Sequence, residues 1–340
     1  MKNKKTLGLI FGGNTVEHDV SIESARAIYN AYMSDKSHWV YEIIPIYIDK
    51  LGFWYDSASS ERILKGLKVN KGVIRSETPA FYKGIDVGLP MIHGGFGEDG
   101  ELQKILHHIG LPYAGADSDS SLLCYDKVLS RKKAELYHIP QPSFISFDLE
   151  LINMKEIEET VSTKIKFPCF IKPARTGSSF GITKVSRQSE IPAGVQKARE
   201  IDTVILIEQA IDNCRELEIA ALGREIPRLS MIGTINYKDE FYTNSAKYSD
   251  DSTELIIPAA VPQKIKEDVY DLAHQLFKIF RIRDFCRLDF FYNDKSGQLF
   301  WNEINTIPGF TCKSMFPQLW LAENISLNTV IEHIVKNSFK

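Results

Sequence analysis

The sequence predicts an α/β protein: an N-terminal doubly wound parallel-sheet domain, followed by a second part built from antiparallel sheets with helices. Three observations predict it. In the first third, short apolar runs alternate with stretches of helical period, the pattern of strands joined by crossover helices. In the middle, a loop rich in Gly and Ser separates two strand-like runs. Near the C-terminus, two apolar runs flank the turn segment NDKSG and carry Arg287, Asp289, Glu303 and Asn305 where a core would want Val or Leu.

In chain order, LGLIF (7–11) reads as a buried strand that stops at Gly12 and Gly13, followed by a polar loop and a helix from about Ser21 to Met33. EIIPIYI (42–48) and DVGLPMI (86–92) are two further buried strands. GELQKILHHIG (100–110) has helical apolar spacing and a Gly stop. YDKVLSRKKAELYHI (125–139) reads as one helix ended by Pro140 and Pro142. FPCFIKPA (167–174), ITKV (182–185) and TVILIEQAI (203–211) read as strands, with RTGSSFG (175–181) as the loop between the first two. ELEIAALG (216–223) and RLSMIGTI (228–235), a polar loop (236–254), a long helix near 262–281 and the two charged strands complete the chain. A length of 340 residues fits two or three domains of roughly 100–200 residues, and the expected boundaries are 1–120, 121–211 and 212–340.

Composition excludes several classes. Hydrophobic residues make up 44% and charged residues 25%, ordinary values for a globular protein with a packed core. A net charge of −3 lacks the clustered basic footprint of a nucleic-acid binder. The start MKNKK resembles a charged leader, but TLGLIF ends at once in GGN, short of the about 7–15 apolar residues that a signal segment needs. No run approaches the ~18 apolar residues of a membrane span. Five cysteines without a C-x-x-C pair read as reduced thiols in the cytoplasm. The eight histidines show no H-E-x-x-H or other metal-ligand spacing.

Side chains alternate along a strand, so Arg287 and Asp289 share one face, as do Glu303 and Asn305. Antiparallel pairing about NDKSG brings Asp289 to Glu303 if the register centres near Ser296. Two carboxylates, an amide oxygen and a guanidinium then converge. Like charges so close need a cation, and an oxygen donor set with room for phosphate suits magnesium. The plainer alternative is a salt-bridge ladder on a solvent face. KPARTGSSFGITKV (172–185) adds a strand, loop and strand in which Gly177 and Gly181 flank Ser178 and Ser179. Glycines let backbone N–H groups approach an anion, and Lys172 is a point charge suited to phosphate. A Walker A order is absent, and a plain hairpin loop is the alternative. Read together, loop and cation site form a nucleoside-triphosphate site.

These motifs resemble, in order along the chain, those of the ATP-grasp carboxylate–amine ligases, and closely the D-alanine–D-alanine ligases. The matching blocks are IFGGNTVEHDVSIESA, MIHGGFGEDGELQ, PYAGADSDSSLLCYDK, FIKPARTGSSFGITKV, VILIEQAI, AKYSD, CRLDFF and NEINTIPGFTCKSM. The resemblance implies a pre-ATP-grasp domain over 1–120, a central ATP-grasp subdomain over 121–211, and a C-terminal ATP-grasp subdomain over 212–340 with the metal and substrate site. It implies ATP held between two antiparallel sheets, with two magnesium (or manganese) ions on Asp289, Glu303 and Asn305. Lys127 and Lys172 would meet phosphates or the adenine edge, and Ser178 and Ser179 would sit in the phosphate loop. Glu208, with the backbone at Gln209 and Ile211, would read adenine, and Phe241 would stack on it. Glu216 would hold ribose, with Glu218 as a near competitor, and Lys247 would meet the γ-phosphate.

For the amino acids, the resemblance implies that Glu17 binds the ammonium of the first D-alanine and that Ser178 and Tyr248 link to it. His93 would lie near the first carboxylate, with a satisfied loop histidine as the alternative. Arg287 and the Gly309 N–H would stabilise an oxyanion. Ser314, flanked by Lys313 and Met315, would hold the second carboxylate. The implied reaction forms D-alanyl-D-alanine for peptidoglycan through a D-alanyl phosphate, beneath a lid drawn from residues 237–253. A homodimer is implied, as are small-molecule partners without nucleic acid or membrane. D-serine as second substrate stays open, as does an ATP-grasp regulator that does not ligate. A nicotinamide-linked oxidoreductase would need G-x-G-x-x-G, which IFGGNTVEH does not supply.

Overall fold

The computed structural model describes residues 4–69, 75–76, 83–236 and 254–338. Its first layer is a five-stranded sheet. The chain enters through β1 (Lys5–Gly12), crosses by α1 (His18–Ser34) and returns as β2 (Tyr41–Ile48). It continues through β3 (Trp54–Tyr55), α2 (Ser57–Leu64), β4 (Arg75–Ser76) and β5 (Val87–Pro90). The strand order is β4-β3-β2-β1-β5. The central strand β1 runs parallel to β2 and to β5, while β3 and β4 add antiparallel edges. The parallel sheet expected here is therefore mixed at one side, because only residues 49–53 join β2 to β3, too few for the crossover that a parallel strand needs.

Crossover geometry places α1 and hence the site. Gly12 ends β1 at φ +93°, where a Cβ would lie 2.1 Å from the Ile48 carbonyl oxygen, so only glycine fits this exit. Ser21 in α1 accepts the Gly12 N–H at 2.8 Å and donates to the Met91 carbonyl at 2.5 Å. These two hydrogen bonds fix the start of α1 at the C-terminal ends of β1 and β5, where open α/β sheets place ligands. Two short helices follow, α3 (Gly95–Glu98) and α4 (Glu101–His108).

The helix expected over 125–139 is α6 (Lys127–Leu136), and a helix that was not anticipated, α5 (Ser118–Tyr125), precedes it. Asp126 divides them. Its backbone is extended, and its side chain accepts the Val128 and Leu129 N–H groups, capping α6.

Next come β6 (Phe144–Asp148), α7 (Met154–Lys164), β7 (Cys169–Pro173), β8 (Thr183–Val185), α8 (Ile191–Arg199) and β9 (Val204–Gln209). They form a four-stranded antiparallel sheet in the order β6-β9-β7-β8, packed on α7 and α8 through residues such as Ile157, Val161, Ile171 and Val195. The third sheet is antiparallel, β12-β11-β10-β13-β14. Its strands are β10 (Cys214–Gly223), β11 (Arg228–Asn236), β12 (Glu254–Ile256), β13 (Asp284–Asn293) and β14 (Leu299–Asn305), with α9 (Gln263–Ile279) between β12 and β13. The chain ends with α10 (Met315–Leu321) and α11 (Leu327–Ser338).

Alternation along β10 and β13 sorts the third sheet into two faces. Leu217, Ile219, Ala221, Cys286, Leu288 and Phe290 pack with Val269, Ala273 and Leu276 of α9. Ala220, Leu222 and Phe285 face the other way, into a core shared with Leu7, Leu9 and Phe11 of β1 and with Phe316, Trp320, Val330 and Ile334 of α10 and α11. The first and third sheets thus share one apolar core. Arg287 and Asp289 lie on the same face as Phe285, turned toward the space between the sheets.

Candidate active site

β13 and β14 pair in the register centred on Ser296. Asp289 stands opposite Glu303, and Arg287 opposite Asn305. β10 extends the row, with Glu218 opposite Asp289 and Ala220 opposite Arg287. Directly opposed residues share a face, so Glu218, Asp289 and Glu303 form one line of carboxylates across three strands. Arg287 lies among them. Its Nε and Nη2 donate to the two oxygens of Asp289 at 2.8 and 2.7 Å, and Glu218 Oε2 is 2.7 Å from Nε. Burial alone would lower the Arg287 pKa, but Asp289 and Glu218 hold it well above the usual guanidinium range. The Asn305 amide donates to Asp289 Oδ2 at 2.9 Å, and must turn over to present its oxygen to a cation. The donor set, carboxylate and amide oxygens facing a single guanidinium, fits a hard divalent ion.

A register shift after Asp289 opposes Phe290 to Trp301, leaving Asn302 as an extra residue in β14. The bulge breaks alternation, so the successive residues Asn302 and Glu303 both line the same cavity, together with Lys127, Arg131, Lys172 and Glu208. That cavity lies between the second and third sheets. Lys172 in β7 pairs with Glu208 in β9, and Arg131 in α6 donates to the other Glu208 oxygen at 2.9 Å. Burial would raise the Glu208 pKa, but Lys172 and Arg131 bring it down to about 2. Lys127 bonds the Thr176 carbonyl, and burial lowers its pKa, with Glu303 and Glu208 opposing that shift. Gln209 ends β9 with its N–H on the Ser143 carbonyl at 2.9 Å, and Ile211 follows half-buried.

The Gly-rich loop joins Lys127, at Thr176, to the head of α1, at Ser178. Ser178 and Ser179 hold φ of +47° and +59°, a conformation that L side chains resist and that recurs at ligand clamps. Ser178 Oγ donates to Glu17 at the head of α1. Glu17 is buried and flanked by two glycines. A Cβ on Gly94 or on Gly177 would lie 2.4 Å from Glu17 Oε2, so both must stay bare for this carboxylate to enter. Glu98 accepts the Gly94 N–H at 3.2 Å. Burial first, then the charge of Glu17, pushes its pKa up to about 8.

His93 uses both ring nitrogens within the protein. Nδ1 donates to the Ile307 carbonyl at 2.9 Å, so Nε2 accepts from Ser24 Oγ at 2.8 Å. The Phe310 N–H donates to the same Ser24 oxygen at 3.2 Å. Burial lowers the His93 pKa. The loop histidine thus anchors the turn that carries Gly309. Ser314 precedes α10, with its Oγ 2.8 Å from Thr311 Oγ1. Met315 is buried, and its Sδ lies against Gly233 of β11.

The structure therefore brings together Glu17 with Ser178, Lys127 and Lys172 with Glu208 and Glu303, and Arg287 with Asp289 and Asn305. Glu216 and Glu218 share a face of β10, but Glu218 is buried against Arg287 while Glu216 is half-exposed. Phe241, Lys247 and Tyr248, with the lid expected over 237–253, lie outside the described residues. Sequence reading missed two groups. Arg131 sits in the run SRKK and looks like part of a solvated helix face, yet it is 3% exposed. Asn302 is brought in by a bulge that no periodicity announces.

The chain is similar to known proteins over nearly its whole length. Residues 6–116 match the family model described as D-ala D-ala ligase N-terminus, and residues 134–336 match D-ala D-ala ligase C-terminus. The chain is 37% identical over 344 residues to a D-alanine–D-alanine ligase of Prochlorococcus marinus (strain NATL2A), covering 98% of each. It is 38% identical over 354 residues to one of Thermoanaerobacter sp. (strain X514), covering 98% of this chain and 96% of the relative. Among solved structures it is similar to the VanG D-Ala:D-Ser ligase from Enterococcus faecalis, with a TM-score of 0.85, 30% identity, and coverage of 99% and 100%. It is also similar to the D-alanine–D-alanine ligase from Coxiella burnetii, with a TM-score of 0.81, 26% identity, and coverage of 99% and 94%.

Proposed function

The chain belongs to the D-alanine–D-alanine ligase family, a family of ATP-dependent ligases, and from that premise we propose that it joins two D-alanines at the cavity between its sheets. The observation that carries this reading is the convergence of Lys127, Lys172, Glu208, Asn302 and Glu303 on one cavity, with Lys127 bonded to the Gly-rich loop whose Ser178 holds Glu17.

A carboxylate oxygen is a poor leaving group, so the first D-alanine is activated. Its carboxylate attacks the γ-phosphorus of ATP, giving D-alanyl phosphate and ADP. The neutral amine of the second D-alanine then attacks the acyl carbon, and phosphate departs from the tetrahedral intermediate while the amine gives up its proton. Glu17 binds the first ammonium, held in place by Ser178. Lys127 and Lys172 place the phosphates, and the strained Ser178–Ser179 backbone presents N–H groups to them. Glu208, with the backbone at Gln209 and Ile211, reads adenine, Phe241 stacks on it, and Glu216 takes the ribose. Lys247 meets the γ-phosphate, and Tyr248 joins the Glu17–Ser178 pair. Arg287 and the Gly309 N–H stabilise the oxyanion, and Ser314 takes the second carboxylate, with Met315 packed beside it. His93 acts through the turn it holds. Asp289, Glu303 and Asn305 would hold two magnesium ions, which supply charge neutralisation at the transferring phosphoryl group. Asp289→Ala or Glu303→Ala abolishes turnover on this reading; near-normal ligation by either variant at ordinary magnesium would remove the cation site.

The experiment is ADP release with ATP, magnesium and D-alanine, alone and with D-serine, and with products weighed by mass spectrometry. D-alanyl-D-alanine from D-alanine alone supports the proposal. A mixed product prevailing when both are present transfers it to the D-serine ligases, a reading that the VanG likeness keeps in view. ADP release that no amino acid stimulates points to a regulator. A cytoplasmic place in peptidoglycan precursor synthesis and a homodimer belong to the same proposal. No helix among the described residues is long and apolar enough to cross a membrane, and the five cysteines are free.

A further inference from the structure

Arg287 cannot serve Asp289 in full while Asp289 serves a cation. In the structure both Asp289 oxygens are used, Oδ1 by Arg287 Nε and Oδ2 by Arg287 Nη2 and the Asn305 amide. A divalent ion on this carboxylate displaces at least part of that pairing, and a buried guanidinium left without an anion is costly. Glu218 stands opposite Asp289 on the other side, in β10. It is buried, 3% exposed, and its Oε2 lies 2.7 Å from the same Arg287 Nε. That contact is electrostatic, because the Nε–H itself points to Asp289 and makes no directed bond to Glu218 Oε2. A small rotation of the guanidinium turns the N–H from one carboxylate to the other.

We propose that Glu218 is a positioning residue: it takes over the Arg287 guanidinium when Asp289 turns to a divalent cation, and so lets one row of side chains hold both the metal and the oxyanion donor. The proposal rests on the cation site at Asp289 and Glu303. Without Glu218, Asp289 is the anion that keeps Arg287 paired within this row, and the cation must compete for it. With Glu218, the row carries three carboxylates against one guanidinium, and a divalent ion completes it. The arrangement also holds Arg287 on the site face of β13, since Glu218 lies in the neighbouring strand and cannot follow substrate.

The test is Mn2+ binding to the full chain in the presence of a non-hydrolysable ATP analogue, followed by electron paramagnetic resonance without turnover. Glu218→Gln should weaken Mn2+ roughly 10–100-fold, the range seen when a residue supporting a metal ligand is lost. The affinity for the analogue measured without metal should not change. Glu218→Asp keeps the charge on a shorter stem, holds the fold if the amide variant does not, and should fall between wild type and Glu218→Gln. Mn2+ affinity in Glu218→Gln equal to that of wild type overturns the proposal, as does a Glu218→Asp variant that binds Mn2+ no better than Glu218→Gln. Wild-type protein that takes up no Mn2+ with the analogue overturns the cation site and this proposal together.

Discussion

At the scale of single residues, the outcome turns on which partner a charge finds. The pairing of Asp289 with Glu303 was legible up to one condition, a register centred near Ser296, and the strands meet it. The task of Glu218 was not. Glu216 and Glu218 share a face of one strand, and only the strand opposite, about seventy residues later, decides which meets Arg287. Glu98 shows the same dependence. Nothing in the sequence marks it out, but burial and the neighbouring Glu17 push its pKa up to about 8. A carboxyl whose pKa is raised on folding favours the folded state while protonated. Its contribution is fully present below the ordinary carboxylate range and is lost as pH rises through about 8. Glu98→Gln keeps the shape and removes the titration. Its melting temperature should therefore fall less than that of wild type as pH is raised through this window, as differential scanning fluorimetry would read. Parallel curves for the two proteins would show that Glu98 is already ionised.

At the scale of elements, strands and long helices with clean periods were visible, and β1, β2, β5, β7, β9, β10, β11 and α9 stand where their apolar runs predict. The break at Asp126 was not visible, because the helix before it, α5, was not anticipated. Its function is positional. Asp126 caps α6, the Lys127 N–H donates to the Ala174 carbonyl at 3.0 Å, and the Lys127 side chain then reaches Thr176 at the root of the Gly-rich loop. A continuous helix would carry Lys127 elsewhere around its axis. Asp126→Ala should cost about 1 kcal/mol of stability, the usual worth of such a cap, by urea denaturation. It should also raise the KM for ATP more than it lowers kcat. An unchanged KM for ATP would separate the cap from the phosphate site. The helices α10 and α11 were passed over for a different reason. α10 is short and carries Pro317, so its period is weak, and its burial comes from packing on β10 and β11 and against Phe285 of β13.

At the scale of the molecule, the site exists because three sheets meet, and a buried arginine joins two of them. Arg131 donates to Glu208 in the second sheet at 2.9 Å and to the Trp301 carbonyl in the third at 3.1 Å. Its guanidinium also lies over the Trp301 ring, 5.2 Å from the centroid. Trp301 immediately precedes the bulge at Asn302, and Glu208 is the anion that holds Lys172. One side chain thus fixes the spacing between Lys172 and the strand of Glu303. In Arg131→Met the stem volume is roughly kept, but Glu208 is left buried with Lys172 alone. Removing one partner of a buried ion pair typically costs about 3–5 kcal/mol, and a loss of that order is expected in chemical denaturation. A purely local packing defect would stop there. If Arg131 sets the spacing of the sheets, hydrogen exchange should rise together in β9 and β14, though they belong to different sheets, and the ATP analogue should bind more weakly even where the variant is fully folded. Arg131→Lys, which keeps the charge but not the two-way fork, should restore most of the stability while leaving exchange in β14 elevated. Exchange confined to α6 in both variants would show that the two sheets hold their separation without it.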